Sequence, residues 1–322
     1  MKPKSLYMRV FNILLTVAAY GYLVYRLAVF DGYAALAESW GMASSGQWVC
    51  LLAAVLLVPL NVVCEAWKWQ TLLRDVEPMG IGEAQRQVYY GYVGAFVTPY
   101  KAGDYPARVM RLHDSLAWSA AVALGLVGSV ALLVVEVCLG VPAVVLLAGY
   151  ETGIDVRNVL IATAVVVALL MIVPVCLKRL AHREWRSEQL RRMFGALAQL
   201  RWQRFMKVVI ISLLRYMVWA VQLTLVLRFC GVALTPVQLL LTIPTYYLLL
   251  GVVPSVPVAD IAVRGSLSIV LFGVFSPNTA GIAVAITVIW VINTLLPMVV
   301  GTVVGTGNNT LVTEGDEHII TV

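Results

Sequence analysis

VTPYKAGDYPARV, residues 97–109, interrupts an apolar chain with two prolines, a glycine and the charges of Lys101, Asp104 and Arg108. Unpaired amides facing lipid cost several kcal/mol each, so such a stretch persists at membrane depth only where protein or a wet cavity encloses it. Its surroundings place it at that depth. Of 322 residues 61% are hydrophobic and 12% charged, about half the charge of a soluble domain. Several apolar runs reach the roughly 20 residues a spanning helix needs. The chain reads as an all-α polytopic membrane protein.

Charge sets the orientation of the runs. One span covers about residues 6–30 and a second 47–66; between them lie Asp31 and Glu38 with no Lys or Arg. Lys2, Lys4 and Arg9 precede the pair and Lys68, Arg74 and Arg86 follow it. Basic loops favour the cytoplasmic side, which puts the N-terminus inside, and Trp67-Lys68-Trp69 reads as an interfacial anchor. Residues 178–207 hold nine Lys or Arg against Glu184 and Glu188, a second inside marker. Within them Leu190, Met193, Phe194, Leu197 and Leu200 recur at helical spacing. That pattern fits either a helix on the inner leaflet or a connector packed on the protein. Residues 116–150 and 266–305 each fit one crossing, or a crossing with a fold-back. The net charge of +6 gathers in these loops, so it is assigned to topology rather than to nucleic acid. Cys50, Cys64, Cys138, Cys176 and Cys230 are scattered singly, without the spacing of a metal site or a disulfide framework.

The broken segment has a counterpart. Tyr89-Tyr90 is answered by Tyr246-Tyr247, Gly94 by Gly251, Pro99 by Pro254, Asp104 by Asp260 and Arg108 by Arg264. A common offset predicts two halves, 1–155 with a hairpin at about 83–111, and 156–306 with a hairpin at about 237–265. A polar tail, 307–322, follows. The charge map sets the halves in opposite orientation. The expected architecture is about six to eight membrane helices with two broken re-entrant hairpins in an inverted repeat, which in transporters surrounds a midplane substrate site.

Within each hairpin the acid and the arginine are four residues apart, on one helical face where they pair. Ionisable groups at membrane depth mark function by default, so Lys101, Asp104, Arg108, Asp260 and Arg264 are the candidate substrate-binding residues. Thr98, Pro99, Gly103, Pro254 and Pro257 shape the hairpin backbone. Arg215, two turns inside its span, is a further candidate. Each has a plainer reading. Asp104 caps a helix, Lys101, Arg108 and Arg111 mark the inner interface, Glu136 marks the outer end of its span, and Arg228 snorkels. His113 beside Asp114, His182 and His318 carry no nucleophile, metal or phosphate-loop signature. Catalysis, a metal and a cofactor are therefore not expected.

Thr98-Pro99-Tyr100-Lys101-Ala102-Gly103-Asp104 with Arg108, and Val253-Pro254 through Arg264, resemble the transmembrane region of lysylphosphatidylglycerol synthases, the flippase-like domain family. Asp260 and Ala262 stand where that family commonly has glycine, and Gly265 where it has glutamate, so no role for that glutamate is carried over. In the synthases a soluble aminoacyl-transferase domain follows. The resemblance implies here a stand-alone translocase for a lipid or lipid-linked anionic headgroup, in the inner membrane, with no enzymatic step. A carrier for a small soluble anion and a membrane scaffold working through the basic linker are the other readings of the same residues.

Overall fold

The computed structural model describes residues 44–98, 101–112, 117–152, 187–252 and 260–304, with isolated positions at Gly41, Arg157, Ile161, Ala164 and Arg179. The expected span at 6–30, Pro99, Pro254, Pro257, the boundary near 155, the three histidines and the tail lie outside these residues. All regular elements among the described residues are helical.

Helices α1 (Ser45–Leu56) and α2 (Val58–Leu73) form one rod, eased at Leu57 because Pro59 in the first turn of α2 lacks an N–H. The Gln47 side chain closes the start by accepting from the Ser44 amide at 2.8 Å. Helix α3 (Ile81–Val97) is followed by a break and a short helix α4 (Asp104–Val109). Then come α5 (Trp118–Thr152), α6 (Glu188–Gln199), α7 (Trp202–Phe229), α8 (Pro236–Val252), α9 (Asp260–Gly273) and α10 (Thr279–Trp290). Helix α10 continues through a π turn, Val291–Leu295, to Val304. Four rods, Ser45–Leu73, Trp118–Leu147, Trp202–Phe229 and Thr279–Val304, are apolar and 26–30 residues long. At 1.5 Å per residue each exceeds the hydrocarbon thickness of about 30 Å. The protein is a multi-pass membrane protein.

The two ambiguous runs resolve differently. Residues 118–152 form one helix through Pro142, so Gly140-Val141-Pro142 is a contact and not a turn. A Cβ on Gly140 would lie 2.9 Å from the Pro244 carbonyl oxygen of α8, the close backbone approach that small residues give membrane helices. Residues 266–305 do fold back. Helix α9 stops at Gly273 and α10 restarts at Thr279, where Asn278 accepts from the Gly281 amide at 2.8 Å and donates to the Cys230 carbonyl at 3.2 Å.

Helix α6 is a packed connector along its apolar face. Phe194, Leu197 and Leu200 are buried in one cluster with Trp69, Leu124 and Phe205, while Arg191 and Arg192 pair with Glu188 on the exposed face. Beside it Arg204 donates to Asp75 Oδ1 at 3.1 Å. That contact fastens the α2–α3 loop to the start of α7, and its hydrogen bond and charge hold the Asp75 carboxyl below the usual range.

Helices α3 and α4 run antiparallel and touch through glycines. Thr98 Oγ1 donates to the Gly94 carbonyl at 2.8 Å and accepts from the Gly103 amide at 2.7 Å, satisfying backbone groups the break frees. A Cβ on Gly103 would meet the Gly94 oxygen at 2.6 Å, and one on Gly94 would meet Ala107 Cβ at 2.6 Å. Gly94→Ala is therefore expected to cost about 1–3 kcal/mol through overpacking. A lower thermal midpoint in detergent checks this; an unchanged midpoint would mean α4 moves aside freely.

Candidate functional site

The apolar rod α1–α2 carries one polar stripe, Asn61, Glu65 and Lys68, spaced four and three residues apart and so on one helical face. Glu65 is 2% exposed and is a hub. It accepts from Lys68 Nζ at 2.7 Å, from Arg108 Nη1 at 2.8 Å, and from Arg215. Arg108 spends its remaining donors on Asp104, Nε to Oδ1 at 2.7 Å and Nη2 to Oδ2 at 2.9 Å. Its guanidinium carbon lies 5.3 Å from the Trp69 ring centre and 5.1 Å from that of Tyr105. The Trp69 indole N–H is in turn held by Gln87 Oε1 at 2.6 Å. Arg215 donates from Nε to Asn61 Oδ1 at 2.7 Å and from Nη2 to the Tyr92 hydroxyl at 3.2 Å, and it stacks on Trp219. Gly91 makes room for the assembly, since a Cβ there would lie 2.7 Å from Arg108 Nε.

A second acid–arginine pair sits at the start of α9. Arg264 Nε donates to Asp260 Oδ1 at 2.9 Å, and Trp290 donates its indole N–H to Asp260 Oδ2 at 3.0 Å. Three residues along, the π turn holds Asn293, whose Oδ1 accepts from Asn61 Nδ2 at 3.0 Å. Trp290 at the end of α10 and Asn293 in the π turn that follows it thus each touch one of the two charge groups.

Lys101 occupies the break itself. Its φ is +56°, the one positive value at a non-glycine among the described residues, a conformation that costs a non-glycine residue roughly 1–2 kcal/mol. The side chain is exposed. No ion pair neutralises it among the described residues. It is within electrostatic reach of Arg264, Asp260, Asp104 and Arg215.

The expected acid–arginine pairs are present, but the arginines differ. Arg108, 3% exposed, has its nitrogens committed to Glu65 and Asp104. Asp104 is the first residue of α4 and makes no capping bond, so the capping reading is replaced by the ion pair. Arg215 is buried in the Glu65 cluster rather than along an open path. Arg111 pairs with Glu83 at 3.0 Å. Lys68 and Trp69 are buried, 3% and 1% exposed, so only Trp67 fits the expected interfacial anchor. Glu136 faces the interior, under Gly251 of α8, and not simply an outer edge. Asn61, Glu65, Tyr92 and Asn293 were not singled out from the sequence. The available signal was Asn61 and Glu65 inside the second apolar span, on one helical face with Lys68.

No curated protein matches the chain. The family model for the lysylphosphatidylglycerol synthase transmembrane region matches residues 10–301, most of the chain's 322 residues. The protein belongs to the lysylphosphatidylglycerol synthase transmembrane-region family.

Proposed function

We propose that the protein is a flippase-like translocase that carries a lipid or lipid-linked anionic headgroup between leaflets. Lys101 and Arg264 form the headgroup site. One observation carries the reading: Lys101 makes no ion pair among the described residues and Arg264 pairs with Asp260 alone, while Lys68, Arg108 and Arg215 gather on Glu65. Unneutralised cations at membrane depth are costly unless a ligand or a wet cavity receives them. Family membership, whose name is that of a lipid-modifying enzyme's membrane region, supports a lipid over a soluble anion.

In this reading the segments around 83–111 and 237–265 are re-entrant hairpins of an inverted repeat, entering from opposite sides in halves that meet near residue 155. The matching Asp–Arg pairs at the first and fifth residues of α4 and α9 support it. The N-terminus is cytoplasmic and the membrane is the inner one. Rocking of one half against the other exposes the site to each leaflet in turn. The protein moves a molecule without transforming it.

Mass spectrometry of co-purifying lipids tests the site, wild type beside Lys101→Gln/Arg264→Gln. One acidic headgroup class enriched about tenfold in the wild type and returned to bulk level in the variant is expected, since hydrogen bonds to charged groups contribute roughly 1.5–3 kcal/mol. Identical profiles would reject the site and favour the soluble-anion carrier.

A further inference from the structure

Glu136 is the membrane-depth carboxylate that the headgroup site leaves unexplained. It sits within the apolar rod Trp118–Leu147, flanked by Val134, Val135 and Val137. Unlike Glu65, Asp104 and Asp260, it makes no ion pair or hydrogen bond to the described residues. Its Oε2 lies 3.1 Å from where a Cβ on Gly251 would stand, so the carboxyl packs against that glycine of α8. Charged and titratable groups face it from each neighbouring element: Lys68 on α2, Lys101 in the break, Arg215 and Tyr216 on α7, and Tyr247 on α8.

The cations fall into two kinds. Lys68 and Arg215 are bound to Glu65, whereas Lys101 has no carboxylate of its own. Lys101 is therefore the neighbour whose field at Glu136 changes when a ligand binds. An anion seated on Lys101 and Arg264 places a negative charge near Glu136, and two negative charges at membrane depth repel, which uptake of a proton relieves.

Building on the translocase reading, we infer that Glu136 is the proton carrier of the cycle, taking up one proton each time an anionic headgroup occupies Lys101 and Arg264. The proton joins a carboxylate oxygen from the aqueous side to which the site is open, travels with the headgroup, and leaves to the other side when the headgroup departs. No other bond is made or broken. Because binding linkage is reciprocal, each monoanionic headgroup moves with one proton and a proton gradient drives headgroups the same way. Asp104 and Asp260, locked to Arg108 and Arg264, are thereby relieved of that role.

The test uses the purified protein in phosphatidylcholine vesicles carrying a trace of NBD-labelled phosphatidylglycerol, with leaflet distribution read by dithionite quenching at equal pH and with a one-unit gradient. One proton per anion predicts an approximately tenfold shift of the label toward the alkaline side per pH unit, since one unit is about 1.4 kcal/mol. Glu136→Gln is expected to equilibrate the label yet leave it evenly distributed under the gradient, while Glu136→Asp, which keeps a titratable carboxyl, retains the shift. Wild type that moves the label without responding to the gradient overturns the coupling alone. A gradient response that survives in Glu136→Gln overturns the assignment to Glu136. A wild type that does not move the label removes the translocase reading, and this inference with it.

Discussion

Glu65→Gln is expected to destabilise the folded protein by about 3–5 kcal/mol, the cost of removing one partner from a buried ionic group. Gln keeps the volume of the side chain but removes the charge that Lys68, Arg108 and Arg215 share. Three cations would then lie in the interior, and among the described residues Arg108 alone of them would keep an ion pair, with Asp104. Thermal unfolding in detergent, read beside gel filtration, should show a markedly lower midpoint. The companion variant Glu65→Gln/Lys68→Met removes one of the stranded charges and should recover part of the loss, because effects within one network are not additive. A Glu65→Gln protein that unfolds at the wild-type temperature would mean that water or lipid headgroups already neutralise the cluster. The hub would then not be what joins α2, α4 and α7.

Lys101→Gly separates function from folding in the opposite direction. The left-handed backbone at Lys101 suits glycine, so the variant is expected to be at least as stable as Lys101→Gln, by a few tenths of a kcal/mol to about 1 kcal/mol. Its headgroup movement should fall by about tenfold or more, matching Lys101→Gln, since both lose the charged donor. The pair is informative because a merely structural lysine would give the reverse pattern. Stability is read by thermal midpoint and movement by the dithionite assay on labelled phosphatidylglycerol. Wild-type movement in Lys101→Gly would end the case for Lys101 in the headgroup site. A lysine kept where the backbone prefers glycine is what a stability–function trade-off at a binding site produces.

How far each feature was legible depended on how local its cause was. The four-residue spacing of Asp104 with Arg108 and of Asp260 with Arg264 defined two ion pairs, and both are present, because one helical turn brings the partners together whatever the rest of the chain does. The apolar runs, the break before Asp104 and the amphipathic pattern of α6 were legible for the same reason. What α6 packs against was not, because Phe194 and Leu197 meet Trp69 and Phe205 only in the folded protein. Pro142 shows the limit of a local rule: a proline ends most soluble helices, yet α5 runs through it where α8 covers that turn.

By itself, then, the sequence determined that this is a helical membrane protein, where its apolar rods fall, that an acid and an arginine stand one turn apart in each of two helices, and which family it belongs to. Those follow from hydropathy, backbone chemistry and helical period, which act over a few residues. Only the tertiary structure decided which charges pair with which. Glu65 binds Arg108 across 43 residues and Arg215 across 150, and no spacing rule reaches that far. The roles of Lys101 and Glu136 arise by difference, from the pairings that Arg108, Arg215, Asp104 and Asp260 make first. A buried charge is worth what its neighbours leave uncompensated, and the fold chooses the neighbours.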